Sequence, residues 1–499
     1  MLPIDHFWQA AERWPERIAV DSPQAQLSYA ALARQVAALA AALMAIDPAP
    51  QSRVGICAAN HAGHIVALLA TMACGKVWVP LNPKTSAAEI RRIVDATEPS
   101  LLILDEAYAP LLDGAPATLL RIEELPALMQ PHAGATPPRL ELPPDATQAI
   151  KFTGGSTGLP KGVMQPLRAW NACIAAQIAA WQLGPEDRYV LAAPITHGTG
   201  TYLLPVLATG GCHVVLDGSG AEAVREAFRT RGGSLAFMPP TLVYMLMALP
   251  GASHADFPRL RALIYGGAPM PPEKIREALA FFGPVLGTTY GQTEAPQVLS
   301  VMRTQDFADA TRWASVGRAT AGAGSELAIM APDGRLLPAG EIGEVVARGE
   351  LLMTGYWRLP AKTAETLVDG WLHTGDRGYL DADGWLYLKD RLRDVVITGG
   401  FNVYPVDVEN ALGQHPAVHE CAVFGVPDDK WGEAVHAAVQ LRPGLAAGEA
   451  ELIAFVRERL GPVATPKRIH LHASLPRSPV GKVLKTAVRE LALQNPERP

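Results

Sequence analysis

Apolar and polar positions along this chain repeat with two alternating periods. Short apolar runs, Arg53-Val-Gly-Ile-Cys-Ala58, Val77-Trp-Val79 and Leu101-Leu-Ile-Leu104, flank stretches at 61–74 and 87–96 whose apolar residues recur at helical spacing. Strand, helix and strand in succession predict an α/β domain on a largely parallel sheet. A passage rich in proline and polar residues at 130–138 breaks the rhythm and reads as a surface connection. The alternation then resumes, with strands predicted at 189–193, 235–238, 262–265 and 285–287 and helices at 221–231 and 272–281. From Ser325 the pattern becomes strand (327–330), an Asp333-Gly334 turn, and strand (344–348), which predicts a small antiparallel β subdomain. A charged stretch, Asp390-Arg-Leu-Arg-Asp394, precedes a final segment with its own helices and strands. The expected division is a large α/β domain at 1–390, a hinge at 391–393, and a small α+β domain at 394–499.

Composition narrows the classes. With 499 residues, 49% hydrophobic and 18% charged, the chain is globular and long enough for several cores. A net charge of -6 without a basic run gives nucleic-acid binding no support. The start of the sequence, Met1-Leu-Pro-Ile-Asp-His-Phe7, shows no signal-peptide pattern, and no uncharged apolar stretch approaches the roughly 20 residues of a bilayer span. A cytoplasmic protein without a membrane span is expected. Five scattered cysteines form no C-x-x-C pair, so neither a disulfide framework nor a zinc site is signalled.

The chemistry concentrates in the run Thr153-Gly-Gly-Ser-Thr-Gly-Leu-Pro-Lys161-Gly-Val163. Gly154, Gly155, Gly158 and Gly162 allow a backbone to approach a polyanion, while Ser156, Thr157 and Lys161 add donors. Pro160 before Lys161 and Gly-Val after it rule out a Walker loop, which opens directly into a helix. By itself the run fits a phosphate loop or a glycine-rich hairpin without a ligand. Lys482, in Pro476-Arg-Ser-Pro-Val-Gly-Lys482, reads alone as an ordinary solvated lysine, and its neighbour Lys485 is expected to be one.

Seven segments in order change that picture. The Thr153 run is followed by Gly266-Gly-Ala-Pro269, Tyr290-Gly-Gln-Thr-Glu294, Glu341-Ile-Gly-Glu344 with Arg348-Gly349, Gly370-Trp-Leu-His-Thr-Gly-Asp376, Asp390–Asp394 with Gly399-Gly-Phe-Asn-Val-Tyr-Pro405, and Pro476 to Lys482. Together they resemble the adenylate-forming superfamily, and the likeness spans nearly the whole chain. The resemblance implies that Thr153 to Gly158 and Lys161 bind phosphates, and that Gly266, Gly267 and Ala268 give an adenine ring room beside Tyr290, Gly291 and Gln292. Thr293 would meet the α-phosphate, Glu294 and Thr157 would hold Mg²⁺, and Asp376 and Arg391 would hold the ribose. Lys482 becomes the catalytic cation, placed where a carboxylate approaches the α-phosphorus and charge builds on the bridging oxygens.

The implied reaction has two steps, acid plus ATP giving acyl-AMP and pyrophosphate, then thiol attack releasing AMP. The small domain would rotate between them, withdrawing Lys482 and bringing Gly399 and Gly400 to a pantetheine tunnel. Arg393 stands where the family commonly has Asp or Lys as pivot. His197, in Pro194-Ile-Thr-His197, resembles the histidine lining the acyl pocket with Gly267; a satisfied structural histidine is the competing reading. An aspartate for an amino-acid substrate is absent there, and 241–247 carries no cation for a second carboxylate, which favours an apolar monocarboxylate, medium-chain or aromatic. Trp431 either stacks on the CoA adenine or is a packing residue. Val463 and Ala464 depart from the family's usual aromatic-Lys-x-Pro pattern, which weakens a standard CoA phosphate site. CoA is the favoured acceptor and a phosphopantetheinyl carrier protein the alternative. Mg²⁺, ATP and CoA complete the requirements. A homodimer, and a lysine acetyltransferase acting on Lys482 as on some relatives, are left open as partners.

Overall fold

Strands buried at every position, such as Leu101–Leu104, Leu235–Met238 and Ala262–Tyr265, can exist only where both faces of a sheet are covered, and two such sheets organise the chain. In the computed structural model residues 1–153, 161–320, 324–391, 394–398, 401–428, 431–478 and 483–494 are described. One sheet runs Arg318–Ala319, Ser300–Met302, Leu286–Tyr290, Ala262–Tyr265, Leu235–Met238, Arg188–Val190, Cys212–Val214, Ile18–Asp21, Gln26–Ser28. Its inner neighbours pair in parallel and both margins are antiparallel. The other runs Gly355–Tyr356, Lys161–Pro166, Thr147–Thr153, Val77–Leu81, Arg53–Cys57, Leu101–Leu104, Thr118–Arg121. Helices Ala62–Ala73 and Leu167–Trp181 lie in the core joining the two sheets, and Ser28 caps the helix Tyr29–Ile46 by accepting from the Ala31 amide. That last helix is long and apolar enough to cross a membrane by length and composition; Arg34 interrupts it and half of it is buried inside the protein.

A third, antiparallel sheet joins Ser325–Met330, Gly343–Gly349, Trp371–Leu380 and Leu367–Val368, with Leu386–Arg391 paired to Trp371–Leu380. A fourth combines Phe401–Val403, Val396–Thr398, Gly432–Leu441, Val418–Asp428 and Arg468–Leu471 with helices Pro405–Gly413 and Glu449–Leu460 around a core of its own. The class is therefore α/β with a small antiparallel β unit, followed by a compact α+β C-terminal part. The strand expected at 189–193 is Arg188–Val190, because the chain turns tightly when the Ala192 amide bonds back to the Val190 carbonyl at 2.8 Å. Asp333-Gly334 is a turn, with Gly334 at φ +84°, but it occupies only part of the connection between the paired strands.

Candidate active site

The strand Leu286–Tyr290 and the strand Trp371–Leu380 bring two distant motifs into contact. The Tyr290 hydroxyl donates to Asp376 Oδ2 at 2.7 Å, and Gln292 Nε2 donates to the same oxygen at 2.6 Å and to the Thr374 carbonyl at 2.9 Å. Glu344 shapes the Thr374-Gly-Asp376 turn from the neighbouring strand. It accepts from the Gly375 amide at 3.0 Å and pairs with His373 Nδ1 at 2.8 Å. The register sets Arg391 directly opposite Asp376. Gly291 is required by sterics, since a Cβ there would sit 2.6 Å from the Gln297 backbone.

The phosphate side forms beside it. Thr153 and Lys161 pair across two antiparallel strands, so the two ends of the glycine-rich run face each other. Gly154, Gly155, Ser156, Thr157 and Gly158 lie outside the described residues. Lys161 Nζ lies 5.4 Å from the Tyr356 ring centre, and the Tyr356 hydroxyl donates to Glu294 Oε1 at 2.8 Å. Burial and the Glu294 carboxylate push the Tyr356 phenol well above its ordinary range, so it stays a donor. Gln165 Nε2 holds the Thr293 carbonyl at 2.8 Å. Tyr356, Gln165 and His373 were not singled out by the sequence; only Tyr356 carried a signal, as an aromatic residue in the short run after Gly349.

Glycines on the expected adenine and acyl side pack against one aromatic ring. A Cβ on Gly198 would meet the Phe237 ring at 2.6 Å and Gln297 Oε1 at 3.0 Å, and one on Gly266 would meet Phe237 at 2.8 Å. Gly267, at φ +79°, has no atom within 4 Å of its Cβ position, so the backbone there faces open space beside Ala268. Phe237 stacks on Tyr202, and Tyr202 on Tyr189. His197 hydrogen-bonds Thr196 at 2.9 Å. Its ring meets solvent although protein surrounds it on most sides, a combination that describes a cleft wall; burial first, and the Lys151 charge second, push its proton affinity down to about 4.

Lys151 was also missed, though a lysine at a buried position of the strand Thr147–Thr153 was a visible anomaly. Its side chain is 7% exposed, with Nζ 4.8 Å from the Trp78 ring centre and 5.4 Å from that of Trp170. The helix Pro240–Met247 itself holds no cation, as expected, but Arg477 reaches it from the C-terminal part.

On that C-terminal side, Lys482, Gly399, Gly400 and Arg393 lie outside the described residues. The flanks of Lys482 are fixed: Arg477 and Val483 form an antiparallel bridge, and the Leu484 amide bonds to the Pro476 carbonyl at 2.9 Å. Arg477 pairs with Glu420 and donates to Thr241 Oγ1 at 3.4 Å. Lys485 is not the free solvated lysine expected: it is 30% exposed and ion-paired to Glu409 at 2.8 Å, held there because it opens the helix Lys485–Gln494 beside the Pro405–Gly413 helix. Trp431 is 39% exposed, with Lys467 Nζ 5.3 Å from its ring centre. Arg442 to Glu277 at 2.8 Å and Lys389 to Asp407 at 3.0 Å also join the N- and C-terminal parts.

Two α/β sheets sharing a core, an antiparallel unit and a C-terminal α+β part, with the Tyr290–Glu294 and Thr374–Asp376 motifs brought into contact, define the adenylate-forming class of enzymes. The AMP-binding enzyme family model matches residues 7–357, and that of the AMP-binding enzyme C-terminal domain matches 407–482. The chain belongs to the AMP-binding enzyme family and is of the acyl-CoA synthetase type. A feruloyl-CoA synthase of an Amycolatopsis species is 36% identical over 498 residues, covering 96% of this chain and 99% of the relative. A medium/long-chain-fatty-acid–CoA ligase of Mycobacterium tuberculosis is 37% identical over 356 residues, 70% of this chain and only 62% of that relative's length. Among solved structures, an amide bond synthetase from Marinactinospora thermotolerans superposes with a TM-score of 0.90 at 33% identity over 98% of this chain and 100% of that one.

Proposed function

We propose that the enzyme is an ATP-dependent carboxylic acid:CoA ligase acting on an acid with a largely apolar, aromatic or medium-chain body. The carrying observation is the convergence of Tyr290, Gln292 and Asp376 with Glu294, Tyr356 and Lys161 at the ends of the phosphate hairpin. Asp376, still an acceptor, offers its carboxylate to ribose hydroxyls, with Arg391 on the adjoining strand. Adenine fits the open backbone at Gly267, against Tyr290. Lys161 and the loop donors Gly154 to Gly158 neutralise the phosphates, and Thr293 meets the α-phosphate. Glu294 is a hard oxygen ligand, and with Thr157 it would hold Mg²⁺, which supplies charge neutralisation at the phosphates.

In the first step the acid's carboxylate oxygen attacks the α-phosphorus, the bond to the bridging oxygen breaks, and pyrophosphate leaves. Lys482 supplies the fixed positive charge between the two anions, and the docking of Arg477 on Thr241 supports its delivery to the cleft. In the second step a thiolate attacks the acyl carbonyl and AMP leaves with the electron pair. His197, Gly267, Phe237 and Tyr202 line the acyl side in this reading. Gly399 and Gly400 would border the pantetheine path after rotation about 391–393, with 1–390 as the static part and 394–499 as the moving one. The exposed Trp431 beside Lys467 suits stacking on the CoA adenine next to a phosphate.

A cytoplasmic enzyme fits this chemistry. The testing experiment is pyrophosphate release across a panel of carboxylic acids, each with CoA, with a phosphopantetheinyl carrier protein, and with a primary amine. Acyl-CoA formation is expected. Release that yields only carrier-bound acyl groups would favour carrier loading, and amide formation without thioester would fit the departures at Val463 and Ala464.

A further inference from the structure

Among the described residues, Lys151 is a buried cation without a counter-ion. No hydrogen bond or ion pair reaches its Nζ among the described residues, and the faces of Trp78 and Trp170 hold it instead. No carboxylate acts on its proton affinity: burial lowers it to about 8, and the one electrostatic neighbour that raises it is Cys173. An ammonium in such surroundings normally finds an anion. Two further facts tie it to the acyl side of the cleft. Its charge acts on His197, and a chain of contacts leads from Cys173 through Gln177, whose Nε2 bonds Cys173 Sγ at 3.0 Å and Thr201 Oγ1 at 3.2 Å, to the Gly198 carbonyl, which accepts from Thr201 at 2.7 Å. The same neighbourhood holds buried polar atoms without a partner, the indole N–H groups of Trp78 and Trp170 and Gln177 Oε1. Buried polar groups left open in this way can hold an ordered water or take a ligand's polar end.

We propose that Lys151 is a specificity-determining residue, pairing with an anionic or strongly accepting oxygen at the far end of the acid, so that the preferred substrates carry a distal carboxylate or phenolic oxygen on the apolar body. This rests on the acid-activating reading of the cleft. It refines the expectation of an apolar tail, which rested on the absence of a cation at 241–247.

The experiment compares three acids of equal length and body, cinnamate, 4-hydroxycinnamate and 4-carboxycinnamate, on wild-type enzyme, Lys151→Met and Lys151→Gln. Turnover is read by pyrophosphate release and binding separately by quenching of tryptophan fluorescence. Wild type is expected to favour one or both oxygen-bearing acids by roughly tenfold or more in kcat/KM. Lys151→Met should abolish that preference by raising KM for those acids alone, with cinnamate kinetics unchanged; the phenol and carboxylate arms show which oxygen is the partner. Equal loss for all three acids would place Lys151 at the reacting carboxylate and overturn the proposal, as would no preference in wild type. If no acid is turned over, the acid-activating reading fails, and selective binding of the oxygen-bearing acids lost in Lys151→Met would still support the site, while indifferent binding would overturn it. Thermal melting of each variant, with Lys151→Gln retaining length and hydrogen-bonding capacity, separates misfolding from lost recognition.

Discussion

Tyr356 belongs to none of the motifs read from the sequence, yet its hydroxyl fixes the carboxylate of Glu294, the proposed metal ligand. Tyr356→Phe removes one hydrogen bond to a charged, half-buried group, worth about 1.5 kcal/mol, and should raise KM for MgATP roughly tenfold with little change in melting temperature. An unchanged KM would leave Glu294 positioned by other means. Two buried histidines set the acid limit of the fold. Burial holds His64 and His213 down to about 4, below the ordinary imidazole value, so the unfolded chain binds more protons between the two pKa values. Their contribution is complete above about pH 6.5 and is lost as pH falls toward 4. The melting midpoint should be flat from pH 7 to 8 and fall steadily below 6.5, before carboxylates such as Asp21 and Asp47 begin to titrate. A flat profile down to pH 5 would contradict this.

At the scale of elements, the site stands on strand ends whose identity was legible and whose pairing was not. Leu235–Met238 and Ala262–Tyr265 were visible as short apolar runs, because a strand buried on both faces has no polar alternation to hide it. That Ile18–Asp21 would lie beside Cys212–Val214 was not visible, since apolar periodicity carries no information about a partner so distant in sequence. The nucleotide motifs were readable because glycines and acids at fixed spacing have few other uses; Gln165 and His373 were not, because each acts through a backbone or a second side chain rather than a ligand. Lys485 was misread for the same reason, its partner Glu409 being supplied by another helix. Glu344 ties two strands to the Thr374–Asp376 turn, so Glu344→Gln, which keeps one acceptor and loses the charge, should weaken ATP binding by about 1 to 2 kcal/mol. Calorimetric titration with ATP reads this, and an unaltered affinity would mean the turn holds itself.

For the whole molecule, the described arrangement has the C-terminal part docked through Arg442 and Glu277 and through Arg477 at Thr241, with Arg477 and Val483, on either side of Lys482, paired in an antiparallel bridge. Under the proposed mechanism this is the arrangement assigned to the first half-reaction. The Arg442 to Glu277 pair is about one-third exposed on each side, so it is worth no more than about 1 kcal/mol. Glu277→Gln should therefore shift the balance between the two half-reactions by at most about fivefold, slowing adenylation relative to thioester formation; acceleration of adenylation would assign the contact to the other arrangement. The most direct test of the account separates the half-reactions at Lys482. Acid-dependent exchange of pyrophosphate with ATP should be abolished in Lys482→Ala, while conversion of preformed acyl-AMP and CoA to acyl-CoA stays near the wild-type rate. Equal loss in both assays would contradict the account.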